Sequence, residues 1–299
     1  MTKAIPPLRD RLQSRLLVIT TTPLLCWVAW NAVQYAVSAG NSGATYLSTA
    51  GAASAFFGWT AWRFRAATPA AAACGVLVCF NITVLSGRPD RGSLFHSGLS
   101  PLILLFVLTH AATRFHRRRR CTDDAENNLE GRNAAQVIAN LGVAAIASLH
   151  YYQAFRGVSL AHVATQVFST LQIPMLSAIA EATADTVSSE IGQSIGGKPF
   201  LLLNLRRVAP GTDGAISFIG TLAGIGAAVG IGITAGFSIG IGIREMARVV
   251  LAATVGLLMD SLLGATLERQ GWIGNDVVNF ASTLVSAGVA CFLDPATFA

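Results

Sequence analysis

The chain has 299 residues, 53% of them hydrophobic and only 12% charged, with a formal net charge of +6 and a mean hydropathy of +0.55. A soluble domain of this length would need far more charge to cover its core, so the composition excludes a soluble globular protein and points to a bilayer. The five cysteines are scattered without CxxC or Cys/His ligand spacing, and they read as small buried hydrophobes rather than disulfide or zinc partners.

A helix needs about 20 apolar residues to cross a bilayer. Nine stretches qualify in chain order: 16–38, 43–62, 67–86, 97–114, 134–153, 160–185, 214–241, 246–267 and 277–294. The basic start MTKAIPPLRDRLQSR precedes an apolar run that continues past signal-peptide length without an A-x-A site, so the first helix is read as retained. The fold expected is an all-α, polytopic transmembrane bundle. With the N-terminus cytoplasmic, 16 of the 21 Lys and Arg residues fall on the cytoplasmic side, which the positive-inside bias favours; nine crossings then put the C-terminus outside.

The longest hydrophilic segment, RFHRRRRCTDDAENNLEGR at 114–132, reads as a basic cytoplasmic linker beside anionic headgroups. It separates a four-helix scaffold, 1–113, from a five-helix catalytic part, 133–299. No soluble fold or aromatic platform accompanies its arginines, so nucleic acid is not an expected partner. The first four helices are nearly free of ionisable residues, and chemistry is expected after residue 130. His110, His150 and His162 lie apart near helix ends and read as interfacial.

Carboxylates inside or bordering membrane helices are costly and mark functional sites. Glu181, Asp185 and Glu190 occupy EATADTVSSEIG, where the sixth helix is expected to reach the cytoplasmic face, and Asp213 in GTDG opens the seventh. Asp260 in LMDSLLGATLE lies about two turns inside the eighth helix from its cytoplasmic end, counted at 1.5 Å per residue. Asp276 in GNDVVN opens the ninth. Every one of them falls on a single face of the membrane.

Glu181 and Asp185 share a helix face, as do Asp185 and Ser188 or Ser189, and together they form a strip of the hard oxygens that magnesium prefers. The segment GQSIGGK ends in Lys198, and NLRR carries Arg206 and Arg207, cations suited to phosphate oxygens. Pro199 follows Lys198, so the segment is not a P-loop. Gly-rich GIGAAVGIGITAG reads as tight helix packing. Asp185 and Asp213 flank one hairpin as Asp260 and Asp276 flank the next, an echo that predicts two Asp-bearing hairpins around one metal-phosphate site.

At these motifs the chain resembles the integral membrane family that includes plant phytyl-phosphate kinase and vertebrate transmembrane protein nineteen. The matching residues are GRNAAQVIANLGVAA (131–145), EATADTVSSEIG (181–192), VAPGTDGAISFIGTLAG (208–224), LLMDSLLGATLE (257–268) and NDVVNFAST (275–283). The resemblance covers residues 110–295. It implies packed transmembrane helices and CTP-dependent phosphorylation of an isoprenyl monophosphate, phytyl or related, to the diphosphate. Carried over by position, Asp185, Glu190, Asp213, Asp260, Asp276 and Asn279 are the polar residues of the motifs, with Asn133, Gln136 and Asn140 in that of the fifth helix.

The expected function is therefore a magnesium-dependent membrane kinase with its site on the cytoplasmic face, acting on a lipid phosphate and a nucleotide. Asp185, Asp213 and Asp260 are assigned to magnesium, with Glu190 and Asp276 as further ligands. Lys198, Arg206 and Arg207 are assigned to nucleotide phosphates, with Ser189, Thr212, Asn140 and Asn279 as substrate contacts. Two alternatives use the same carboxylates: an ion- or proton-coupled transporter, and a CDP-lipid-dependent phosphotransferase, whose D-x-x-D-G-x-x-A-R pattern is missing here.

Overall fold

A computed structural model describes residues 5–88, 93–119, 131–149 and 172–293. Among them are nine α-helices: α1 (Pro7–Ser38), α2 (Gly40–Arg63), α3 (Pro69–Ser86), α4 (Leu99–Arg119), α5 (Ala134–Ala147), α6 (Ile173–Ile195), α7 (Phe218–Ser238), α8 (Ile243–Leu263) and α9 (Asn275–Phe292). A two-stranded antiparallel ribbon, β1 (Phe200–Leu201) with β2 (Ala215–Ile216), lies between α6 and α7. Helices α1, α3, α4, α7 and the α8 span to Glu268 are long and apolar enough to cross a membrane. The molecule is an all-α membrane helix bundle.

Helix α6 is the centre. It packs against α4, α5, α7, α8 and α9, and residues Ile173 to Ala184 are buried on all sides, as expected of a helix with no solvent face. Pro174 in its first turn removes only a donor the helix could not use. Small residues then bring α7 onto it. A Cβ at Gly220 would sit 2.5 Å from Ser188 O, and one at Gly224 would sit 2.7 Å from Ala184 O, so this pair of glycines four apart sets the backbone separation.

Several buried polar groups of the N-terminal helices donate to backbone carbonyls of neighbouring helices, as a bilayer demands. Tyr46 donates to Thr83 O at 2.9 Å, Tyr35 to Gly87 O at 3.0 Å, and Asn81 Nδ2 to Leu25 O at 3.0 Å.

The helix expected at 160–185 runs at 173–195 instead, with 160–171 outside the described residues. Glu181 and Asp185 therefore lie in the body of α6 and not at its end. Ser188, Ser189, Glu190 and Gln193 made the second half look like a loop by hydropathy, yet these residues line an internal space while the helix continues. Residues 150–153 of the expected fifth helix, with His150 and His162, also lie outside the described residues. Helix α2 exceeds its expected span by a few residues, and two helices exceed theirs by more: α1 begins at Pro7, and α4 carries Arg114 to Arg119 in its last turns instead of releasing them into a linker.

Candidate active site

Three C-terminal elements bring carboxylates together. Asp185 lies on α6 one turn beyond the fully buried Glu181, and both are within electrostatic reach of Asp260 on α8. The α8 and α9 backbones meet at Gly256 with the Glu181 side chain of α6 against them: a Cβ there would be 2.6 Å from Glu181 Cγ and 2.9 Å from Ser282 O. Ser282 of α9 stands beside both Glu181 and Asp260. One oxygen of each acid, Glu181 Oε1 and Asp260 Oδ2, is buried without a hydrogen-bond partner.

Beyond Leu263 the α8 helix widens into a π-helical turn, Gly264–Glu268, a departure from α geometry that re-aims the residues after it. Gly214, with φ +69°, folds the Asp213 turn against this segment: a Cβ there would collide with Ser261 O and Ala265 N. Asp213 and Glu268 are thereby placed within electrostatic reach of each other and, for Glu268, of Asp185.

The N-terminal half supplies the opposite charge. Arg132 precedes α5, whose first turn is fixed by a capping box between Asn133 and Gln136. Its backbone bridges the α2–α3 turn, with Arg132 N donating to Ala66 O at 2.9 Å and Thr68 N to Arg132 O at 3.0 Å. Its guanidinium reaches α6 at Thr186 Oγ1, 3.4 Å away. Burial pushes the Arg132 guanidinium below its ordinary value, while Glu190 and Asp185 pull it back up. An arginine so placed stays charged.

Arg65 is held in the left-handed region, φ +54°, by the six-to-one bond from Ala66 N to Ala61 O that closes α2. Glycine is the usual residue at such a cap.

Apart from the buried Glu181 and Ser282, these groups face one cavity of about 850 Å³. Its lining includes five carboxylates, Asp185, Glu190, Asp213, Asp260 and Glu268, and four arginines, Arg65, Arg114, Arg117 and Arg132. Of the residues singled out in the sequence, Asn140, Ser189, Thr212 and Asn279 also line it, as does His110, stacked on Phe106 with centroids 5.9 Å apart.

Glu190 is held from α4, accepting from Thr113 Oγ1 at 2.8 Å with His116 Nδ1 3.9 Å from its other oxygen. Lys198, Arg206 and Arg207 are exposed on the segment joining α6 to α7 and do not line the cavity. Asp276 does not line it either; it accepts from Ser14 Oγ of α1 at 2.6 Å, in a contact where Gln13 Oε1 also accepts from Gly274 N. The echo between the two hairpins thus stops at its fourth aspartate.

Five charged cavity groups escaped the sequence reading. Arg132 and Glu268 carried a signal, because each stands at the edge of a quoted motif, GRNAAQ and GATLE. Arg65, Arg114 and Arg117 carried none beyond their count as positive-inside charges.

No three Asp, Glu, His or Cys side chains among the described residues converge closely enough to hold a metal by themselves. Magnesium asks for less, binding through one or two carboxylates with water and phosphate oxygens completing its shell. The hard-oxygen set here, with Asp260 Oδ2 unpartnered beside Asp185, fits that requirement.

Among curated proteins, the membrane protein MJ0933 of Methanocaldococcus jannaschii is 41% identical over 122 residues, 40% of this chain and 49% of that protein. The membrane protein sll0875 of Synechocystis is 34% identical over 111 residues, 36% of this chain and 42% of that protein. Protein VTE6, chloroplastic, of Arabidopsis thaliana is 29% identical over 227 residues, 74% of this chain and 64% of that protein. The matches thus span about half or less of the first two relatives and under two thirds of the third. No solved structure matches the chain. The model of the family described as integral membrane protein DUF92 matches residues 52–287, which takes in α3 to α8 whole, the second half of α2, most of α9, and every cavity-lining residue, and the chain belongs to that family.

Proposed function

We propose that this chain is a membrane kinase that moves the γ-phosphoryl group of CTP to an isoprenyl monophosphate, phytyl or related, giving the diphosphate and CDP. The observation that carries the reading is the single cavity in which five carboxylates face four arginines, with apolar walls continuing beyond them. Phosphoryl transfer needs positioning and charge neutralisation more than covalent chemistry, and this combination supplies both. The resemblance of five motifs to the family that includes plant phytyl-phosphate kinase supports the same reaction.

In this account an oxygen of the acceptor monophosphate attacks the γ-phosphorus of CTP. A new P–O bond forms, the bond from the γ-phosphorus to its bridging oxygen breaks, and CDP leaves with that oxygen. A phosphate monoester is already an anionic nucleophile, so no residue has to remove a proton. Arg132 and Arg65 hold the oxygens of the reacting phosphates with their planar donor forks, and Arg114 and Arg117 hold the outer ones. Asp185 and Asp260 would hold magnesium, with Asp213 and Glu268 nearby; when bound, the ion would neutralise charge on the phosphates. Asn279 and Gln136 orient the headgroup. The same arginines fall on the side that the positive-inside bias makes cytoplasmic, where nucleotide is found.

The test is transfer of label from γ-labelled CTP to a panel of prenyl alcohols and monophosphates by purified protein, with and without magnesium. Magnesium-dependent labelling of a prenyl diphosphate is expected, together with its loss in Asp185→Asn and Asp260→Asn. No labelled lipid from any acceptor, or undiminished labelling in both variants, overturns the reading.

A further inference from the structure

The cavity has a second arm that the phosphate chemistry leaves unused. It is walled by Phe57 and Ala61 of α2, Ala72 and Gly75 of α3, and Leu105 and Phe106 of α4. All three helices change character in the same direction. From Arg65 back to Phe57, from Ala67 on to Gly75, and from Arg117 back to Phe106, the lining passes from cationic or loop residues to apolar ones. At 1.5 Å per residue, the eight residues between Arg65 and Phe57 make the arm about 12 Å deep.

Its inner end is closed. A Cβ at Gly58 would collide with Val76 and come within 3.0 Å of Ala72 O, so α2 and α3 touch there. Phe57 and Phe106 meet edge to face, centroids 5.2 Å apart, and close the gap between α2 and α4. Near this inner end Gly75 leaves open space, since a Cβ on it would meet nothing within 4 Å.

From this geometry we infer that the α2–α3–α4 arm binds the apolar tail of the acceptor and sets its length, with the Phe57–Phe106 pair as the stop. The inference rests on the kinase reading for its ligand. An apolar pocket continuous with a charged chamber suits an amphiphile with an anionic head and a hydrocarbon tail, and α3 and α4 are two of the helices able to cross a membrane, the phase from which such a tail arrives. It also gives the N-terminal helices, free of carboxylates in the cavity, a part in selection.

Gly75→Phe sets its Cβ where nothing stands within 4 Å and adds a ring to the lining of the arm, and replacing a helix-interior glycine favours the helix. Gly51→Phe is the control: it lies on α2, also has nothing within 4 Å of its Cβ, and does not line the cavity. Two readouts are compared across dimethylallyl, geranyl, farnesyl and phytyl monophosphates: kcat/KM for phosphorylation, and thermal stabilisation of the detergent-solubilised protein without nucleotide. Tails long enough to fill the arm are expected to be favoured over dimethylallyl by the parent and by Gly51→Phe, with nothing further gained beyond that length.

Gly75→Phe is expected to lose at least about tenfold on the long acceptors, the effect of keeping about two methylene groups out of apolar burial, while the shortest acceptor is used as before. Phe57→Ala is expected to shift the preference to longer tails. A length profile in Gly75→Phe that matches the parent overturns the inference, as does a parent that binds long and short tails equally. Length-dependent stabilisation without phosphorylation refutes the kinase reading and leaves the tail site standing. Should Gly75→Phe fail to fold, a diazirine-bearing farnesyl phosphate decides: labelling of α2 to α4 in the parent supports the inference, and labelling confined to the outer face of α7 overturns it.

Discussion

On the C-terminal side of the cavity the carboxylates Asp185, Glu190 and Asp260 stand on the bodies of α6 and α8, fixed by backbones that glycines bring into contact. On the N-terminal side the arginines Arg65, Arg114, Arg117 and Arg132 stand on loops and helix ends and reach the same space on long side chains. The acidic wall is rigid, and its like charges lie close together; the basic wall is adaptable. A site arranged in this way can hold a cation in a fixed place and close several donors around phosphates of changing position. Like charges gathered in a poorly solvated space are also a standing cost to the fold, so the acidic wall trades stability for function.

That contrast is broken most severely by removing an acid. Asp260→Asn is expected to lower kcat/KM about a thousandfold, the scale for losing one preorganised electrostatic contact. The same substitution is expected to leave the unliganded protein as stable as before or up to about 1 kcal/mol more stable, because a repelling charge is gone. Magnesium should raise the melting temperature of the parent and not of this variant. A destabilised Asp260→Asn protein in thermal melts would show that the acid serves the fold.

Arg132 tests the junction between the walls. Arg132→Lys keeps the charge and loses the fork, and a fall of roughly tenfold to a hundredfold in kcat/KM is expected. Arg132→Ala should in addition destabilise the fold by about 2 kcal/mol, because Asp185 and Glu190 lose their compensating charge. Denaturation of both variants in matched detergent separates the two effects.

Arg65 sharpens the contrast from the other direction. Arg65→Gly relieves a left-handed backbone and should stabilise by up to about 1 kcal/mol while raising the KM for a phosphate substrate several-fold. Gain of stability with loss of affinity is the signature of a side chain kept for binding. The smallest effect is expected for Lys198, Arg206 and Arg207 changed together to Ala. Exposed charges outside the cavity should alter kcat/KM by less than about threefold, and only at low ionic strength.

Much of the acidic wall was legible in the sequence, because a carboxylate in an apolar stretch stands out by its cost. Asp185, Asp213 and Asp260 meet at one cavity as their topology suggested. The register of α6 was not legible, since Ser188, Ser189 and Glu190 lower hydropathy in the way a loop would, and only tertiary contact distinguishes a polar cavity lining from a helix end. The basic wall was hidden for a different reason. Charge bias treats every arginine beside a membrane helix as an anchor, so Arg65 and Arg114 were indistinguishable from Arg63 and Arg119. The α2–α3 turn binding Arg132 joins residues 66 and 132, a separation no local pattern reveals.

The most direct test of a single site built from both halves is a double-mutant cycle on kcat/KM between Arg132→Lys and Asp260→Asn. If the two walls act on one set of phosphates, the double variant falls no further than the worse single variant, because groups acting as a unit are not additive. Losses that simply multiply would contradict the account, placing Arg132 and Asp260 in independent roles.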